Sequence, residues 1–224
     1  MKKLIYGIIP ARGGSKSIPL KNIKLLKKLP LIEYTIQTAL KSNLIDKLIV
    51  STDHEDIIEI CKKYKDLYII RRPKSLSKDN CTTESCLIHA CEEMYKHELN
   101  YPDIIVTLEP TSPLRKLETI DNCIQAVLDS DRSDAILCVT KTTACFGFIN
   151  NKSEFEHYIK NQPRRRQDRK PTYIETGNVY VTEYESLKKY GSVLGKHPIP
   201  YEISFKESID INEPIDFKIA ESLL

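Results

Sequence analysis

The amino-acid sequence predicts a three-layer α/β fold built on a mostly parallel sheet. Apolar runs of strand length alternate along most of the chain with segments whose apolar residues recur at helical spacing. A strand reaches a parallel neighbour only through a long connection, so helices between successive strands imply parallel pairing with right-handed crossovers. At 224 residues, 41% hydrophobic and 29% charged, the chain is long enough to bury one substantial core.

The first strand is read at 4–9, where Leu4-Ile5-Tyr6-Gly7-Ile8-Ile9 is an apolar run of buried-strand length. Leu31, Ile32, Ile36, Ala39 and Leu40 fall on one helical face and place a helix at 31–42. A strand at 48–51, a helix at 55–64 and a strand at 68–70 follow. Next come a helix at 83–95, a strand at 104–108, a helix at 117–128 and a strand at 135–140. The alternation stops between Lys141 and Tyr173, in a polar segment that ends in Arg164-Arg165-Arg166-Gln167-Asp168-Arg169-Lys170. By itself that run reads equally well as a solvated charged face. The sheet resumes at 176–181, so the chain is read as one domain over 1–224 with an insertion at about 141–173.

Composition excludes several classes. Thirty-four Lys and Arg against 31 Asp and Glu give a net charge of only +3, which does not argue for nucleic acid. No apolar run approaches the roughly 20 residues needed to span a bilayer, and the start has no cleavage-site pattern, so a cytoplasmic protein is expected. The seven cysteines are odd in number and contain no C-x-x-C pair. They are expected to be reduced thiols, mostly buried.

In parallel sheets ligands sit beyond the carboxyl ends of the strands. After the first strand comes Pro10-Ala11-Arg12-Gly13-Gly14-Ser15-Lys16-Ser17-Ile18-Pro19-Leu20-Lys21-Asn22. Gly13-Gly14 lets backbone N–H groups turn toward an anion, and Arg12, Lys16 and Lys21 put three cations within ten residues. Such a loop suits a ligand with several negative charges. A Walker A loop would need glycines at Pro10 and Ser15, and no G-x-G-x-x-G can be laid over Gly7, Gly13 and Gly14. Ser51-Thr52-Asp53 follows the second strand, and Asp53 has an ordinary reading as a helix N-cap. After the fourth comes Glu109-Pro110-Thr111-Ser112-Pro113-Leu114-Arg115, where two prolines are expected to hold the chain extended and Thr111, Ser112 and Arg115 to reach the site floor. Asp210 and Asn212 share one face of an extended segment, and two oxygen side chains there suit Mg²⁺. Asp216 reads as a first-turn helix acid.

The glycine loop resembles the signature A-R-x-x-S-K-x-x-P-x-K-N of the acylneuraminate cytidylyltransferase (CMP-sialic acid synthetase) family, through Ala11, Arg12, Ser15, Lys16, Pro19, Lys21 and Asn22. Position 17, often Gly in that family, is Ser. Ser51-Thr52-Asp53, Arg72-Pro73 with Leu76 and Asp79, Pro110 to Arg115, Arg166-Gln167 and Asp210-Ile211 with Asp216-Phe217 extend the likeness over nearly the whole chain.

The resemblance implies a Rossmann-like sheet of the nucleotide-diphospho-sugar transferase type and a small dimerisation excursion, hence a homodimer. It implies that CTP activates a sialic-type nonulosonic acid, giving CMP-sugar and pyrophosphate. CTP would contact the loop at Ala11, Arg12, Gly13, Gly14, Ser15, Lys16, Lys21 and Asn22. Arg72, Cys81 and Thr83 would serve the nucleoside. Arg12, Lys16, Lys21 and Asp210 would carry catalysis, with Asp210 or metal-bound hydroxide as base, and Asp210 and Asn212 would hold Mg²⁺. Glu109, Thr111, Ser112, Arg166, Gln167 and Thr176 would face the sugar, the arginine and glutamine in this chain's site or in a partner subunit's. The chain departs from the family's usual Gln at Glu109, Pro-Asn at Glu175-Thr176 and Asp at Asn212. Two rivals stand beside this reading. One is an enzyme for another deoxy-keto acid or another base; the other is a nucleotide-binding regulator that has lost catalysis.

Overall fold

A computed structural model describes residues 2–224. Eleven strands and six α-helices follow in chain order: β1 Ile5–Pro10, β2 Leu25–Leu26, β3 Leu29–Pro30, α1 Leu31–Ala39, β4 Lys47–Thr52, α2 Glu55–Cys61, β5 Leu67–Arg71, α3 Thr83–Glu98, β6 Ile104–Thr107, α4 Leu117–Leu128, β7 Ala135–Thr142, β8 Gly147–Ile149, β9 Phe155–His157, β10 Thr172–Glu183, α5 Tyr184–Tyr190, β11 Pro198–Ile203 and α6 Pro214–Leu223. Seven strands form the central sheet in the order β11-β7-β10-β6-β1-β4-β5.

β1 shows why the first strand reads as an unbroken apolar run. Ile5 and Ile9 pack with α1, α2 and α4 on one face, while Tyr6 and Ile8 pack with α3 and α5 on the other. With both faces covered, alternation of apolar and polar residues has no function. A third cluster joins Ile18, Leu26, Leu31, Ile211, Phe217 and Ala220. It fastens the turn after β1 and the β2–β3 hairpin to the segment leading into α6.

Within the described central sheet only β10 runs antiparallel, to both β6 and β7. The excursion carries no crossover helix, so the chain leaves β7 at Thr142 and returns beside it at Thr172. β10 therefore begins before the expected 176, and its register with β7 shifts between Glu175 and Tyr180. β8 and β9 pair as a small separate hairpin within the excursion. β11 escaped sequence reading because Pro198 and Pro200 argue against a strand, but it lies at the sheet edge, where proline is tolerated.

The Glu109 to Arg115 stretch corrects the expectation of an extended chain. Its backbone makes two successive turns, with Ser112 N–H donating to the Glu109 carbonyl and Arg115 N–H to that of Ser112. The N-cap of α2 is His54, whose Nδ1 accepts from Asp56 N–H at 3.3 Å, leaving Asp53 for another task.

Candidate active site

A cavity of about 260 Å³ opens beyond the carboxyl ends of β1, β4, β5 and β6. The loop after β1 forms one wall, and its shape is fixed from behind. Ala11 N–H donates to the Ser51 carbonyl at 2.9 Å, Asn22 Nδ2 to the Arg12 carbonyl at 3.0 Å, and Gly13 N–H to Asp53 Oδ1 at 2.9 Å. A Cβ on Gly13 would stand 2.4 Å from the His54 ring, so only glycine lets the loop lie this close to α2. The N–H groups of Ala11 and Gly13 are thus engaged within the protein and shape the loop. Gly14 and Ser15 remain on the cavity wall with Arg12, Lys21 and Asn22.

The three loop cations have different partners. Arg12 Nη1 and Lys16 Nζ reach the two oxygens of Asp79 at 2.8 and 2.9 Å. Their hydrogen bonds, that of Lys16 first, hold the Asp79 carboxyl below the usual range. Lys21 is half-buried and donates to the Ile211 carbonyl at 2.7 Å. Burial lowers its pKa, and the nearby charges of Asp210 and Glu109 oppose that shift.

Opposite the loop, Arg72 is buried and held by the Ser51 hydroxyl at 3.2 Å and the Ser51 carbonyl at 2.9 Å. Cys81 and Thr83 lie beside it, next to Thr82, which caps α3 by accepting from Ser85 N–H. The amino end of this 16-residue helix thus faces the cavity.

Glu109 and Thr111 line the far end. Burial raises the Glu109 pKa to about 7, against the lowering pull of Arg115 and reinforced by Asp210. Arg115 itself is turned away from the cavity, a correction to the expectation that it reaches the floor. Its Nε donates to the Asn178 carbonyl at 2.6 Å, Nη1 to Thr35 Oγ1 at 2.9 Å and Nη2 to the Glu109 carbonyl at 2.6 Å. The segment before α6 closes this end, with Ile211 N–H donating to the Thr111 carbonyl and Ser17 Oγ to that of Asn212.

Asp210 and Asn212 lie together there, Asn212 Nδ2 donating to Asp210 Oδ2 at 2.7 Å. The other Asp210 oxygen is buried without a protein partner, which fits a cation seat. No group of three His, Cys, Asp or Glu side chains gathers as a metal site among the described residues. A Mg²⁺ ion here would lean on Asp210 and substrate phosphate, the usual manner for this ion. Asp216 accepts from Asn212 and Glu213 N–H as part of a capping box, in keeping with a first-turn helix acid.

The family model for cytidylyltransferases matches residues 6–221. The chain belongs to the cytidylyltransferase family. It is 30% identical to the CMP-N,N'-diacetyllegionaminic acid synthase of Legionella pneumophila, over 98% of this chain and 96% of that protein. It is 26% identical to the N-acylneuraminate cytidylyltransferase of Escherichia coli and 30% identical to one from Streptococcus agalactiae, covering 98% and 94% of this chain. The chain spans about half the length of those two relatives, 52% and 51%. The fold matches a CMP:2-keto-3-deoxy-manno-octonic acid synthetase complexed with CTP (TM-score 0.73, 16% identity, 98% of both chains). It also matches the 4-diphosphocytidyl-2C-methyl-D-erythritol synthase of Anaerococcus prevotii (TM-score 0.69, 18% identity, 98% of this chain and 95% of that one).

Four of the cytidylyltransferase residues expected at the sugar are not on this cavity. Ser112 is buried in the turn after Glu109, and the Thr176 hydroxyl donates to the Cys138 carbonyl at 3.0 Å inside the sheet. Arg166 donates from Nε to Thr143 Oγ1 at 2.8 Å and shares a separate shallow groove with Gln167, Lys141 and Arg169. Their place on the excursion keeps both off their own chain's cavity. Sequence reasoning missed the bridging role of Asp79. Its motif position was visible, but a contact across 67 residues has no local signal.

Proposed function

We propose that this chain transfers the cytidylyl group of CTP to a sialic-type nonulosonic acid, releasing pyrophosphate and forming a CMP-sugar. The observation that carries the reading is the single cavity that gathers Arg12, Lys21 and Arg72 at adjoining strand ends. The N,N'-diacetyllegionaminic and N-acylneuraminic acids of the relatives' names indicate the acceptor class.

The anomeric hydroxyl of the sugar acid gives its proton to Asp210 as it attacks the α-phosphorus of CTP. The new P–O bond forms as the bond from the α-phosphorus to the oxygen it shares with the β-phosphorus breaks, and that oxygen leaves with pyrophosphate. Arg12, Lys16 and Lys21 hold the charge that builds on the leaving group, and Arg72, Cys81 and Thr83 hold the nucleoside, so positioning and electrostatics lower the barrier. Asp210, with Asn212 beside it, would hold Mg²⁺, which as a Lewis acid would offset phosphate charge. At the acceptor end Glu109 and Thr111 receive the sugar.

The enzyme acts in the cytoplasm as a homodimer. Reduced cysteines suit the compartment, and no helix among the described residues is long and apolar enough to cross a membrane. The excursion supports the dimer, because Phe146, Phe148, Ile149, Phe155 and Tyr158 are exposed on it. A second copy seated there would bring Arg166 and Gln167 to its partner's cavity.

Pyrophosphate release on mixing the protein with CTP, Mg²⁺ and N,N'-diacetyllegionaminate or N-acetylneuraminate tests the reading. Tight CTP binding with no turnover of either acid or of other deoxy-keto acids would leave a nucleotide-binding regulator instead.

A further inference from the structure

The two oxygens of Asp79 divide between Arg12 Nη1 and Lys16 Nζ, much as two non-bridging oxygens of a phosphate would. Both cations belong to the glycine loop, whereas Asp79 comes from the segment between β5 and α3 and reaches them across the cavity mouth. Other acids of the site are engaged elsewhere, Asp53 with Gly13 N–H and Asp210 with Asn212. The side chains of Asp79 and Lys16 are 54% and 77% exposed, and ion pairs this open to water contribute little to folding. The contact is too weak to hold the fold together, yet it occupies the two charges that the leaving group needs.

We propose that Asp79 is a positioning residue for pyrophosphate departure: its carboxylate stands on Arg12 and Lys16 in place of a phosphate, yields to the triphosphate, and retakes both cations as pyrophosphate leaves. The inference rests on the reading that the glycine loop binds the phosphates of CTP. CTP, held at its nucleoside as well as its phosphates, displaces the carboxylate readily. Pyrophosphate, once cut from the nucleoside, must compete with an acid tethered a bond rotation away. The flanking backbone need not refold for this exchange. Arg72 N–H is fixed to the Thr52 carbonyl and Cys81 N–H to that of Lys78, so the motion is confined to the side chain and its immediate turn.

Asp79→Asn keeps the shape and removes the charge, and Asp79→Ala removes both. Calorimetric titration with inorganic pyrophosphate should show both variants binding about three- to fivefold more tightly than the wild type, the scale expected for loss of an exposed competing pair. The gain should shrink with added salt, since exposed charges are screened. In steady state, pyrophosphate should become a correspondingly stronger product inhibitor. A purely structural role predicts the opposite sign, because a loosened loop binds anions less well. Equal or weaker pyrophosphate binding by both variants, with thermal unfolding unchanged, overturns the inference and leaves the proposed reaction standing. Failure of the wild type to bind either CTP or pyrophosphate overturns both.

Discussion

Replacing Arg115 by Met should cost more stability than any single change on the cavity wall, and the structure supplies the magnitude. Arg115 is 4% exposed, and its guanidinium spends donors on two carbonyls, of Asn178 and Glu109, and on the Thr35 hydroxyl. Methionine fills much of the same volume but donates nothing. It therefore leaves the two carbonyls without this donor, at about 1–3 kcal/mol for each acceptor left unsatisfied. Two such acceptors put the total at about 2–6 kcal/mol. For a domain of this size each kcal/mol lowers the Tm by about 2–4 °C, which puts the expected drop at roughly 4–24 °C. Urea unfolding followed by circular dichroism, with calorimetry for Tm, measures it. A loss below about 1 kcal/mol would refute the reasoning, because it would mean that water or a rearranged turn satisfies those carbonyls at no cost.

Lys21→Ala should lower turnover by about 10² to 10³ with the fold intact by circular dichroism, the usual cost of removing one charged donor from a developing anion. Glu109→Gln should change the pH dependence of stability. The wild-type carboxyl binds its proton more tightly when folded (about 7) than at its ordinary 4.5, so its contribution is present below pH 4.5 and is lost as pH rises through 7. The variant lacks that loss, and its advantage in urea unfolding with chelator present should grow by up to about 3 kcal/mol between pH 4.5 and 8. A constant difference across that range would show that Glu109 is not buried as described. Asp210→Asn should abolish turnover while CTP still binds, and Asn212→Asp should lower the Mg²⁺ concentration for half-maximal rate. Activity in the first with an unchanged Mg²⁺ requirement in the second would move the metal elsewhere.

The parallel half of the fold was legible because its cause is local. Strands such as β1, β4 and β6 are buried on both faces, so each announces itself as an apolar run. The helix at Leu117–Leu128 has the boundaries its spacing predicts. What was not legible depends on position in the assembled sheet. β11 survives two prolines only because it is an edge, and α5 was obscured in a short polar segment whose end is marked by Gly191 in the left-handed region. The cations at the cavity could be found from the loop, since three basic residues beside a glycine pair is a dense local signal, and Arg12 and Lys21 of the three line the wall.

The tasks of the cavity's neighbours followed a different logic. Arg115 and Thr176 look like site residues in sequence because they stand in polar runs after strands, yet each spends its donors on backbone carbonyls inside the molecule. A polar side chain just beyond a strand has two possible employers, the ligand and the exposed ends of the backbone, and composition does not distinguish them. The partners of the side chain decide between them. Arg115 is sealed behind the Glu109 turn and serves the backbone, whereas Arg72, equally buried, leaves part of its guanidinium on the cavity wall after two bonds to Ser51. The same test separates Asp53, bound to a loop N–H, from Asp79, bound only to cations that a phosphate would take. A carboxylate paired with backbone shapes a site, and one paired with the site's own cations competes with its ligand.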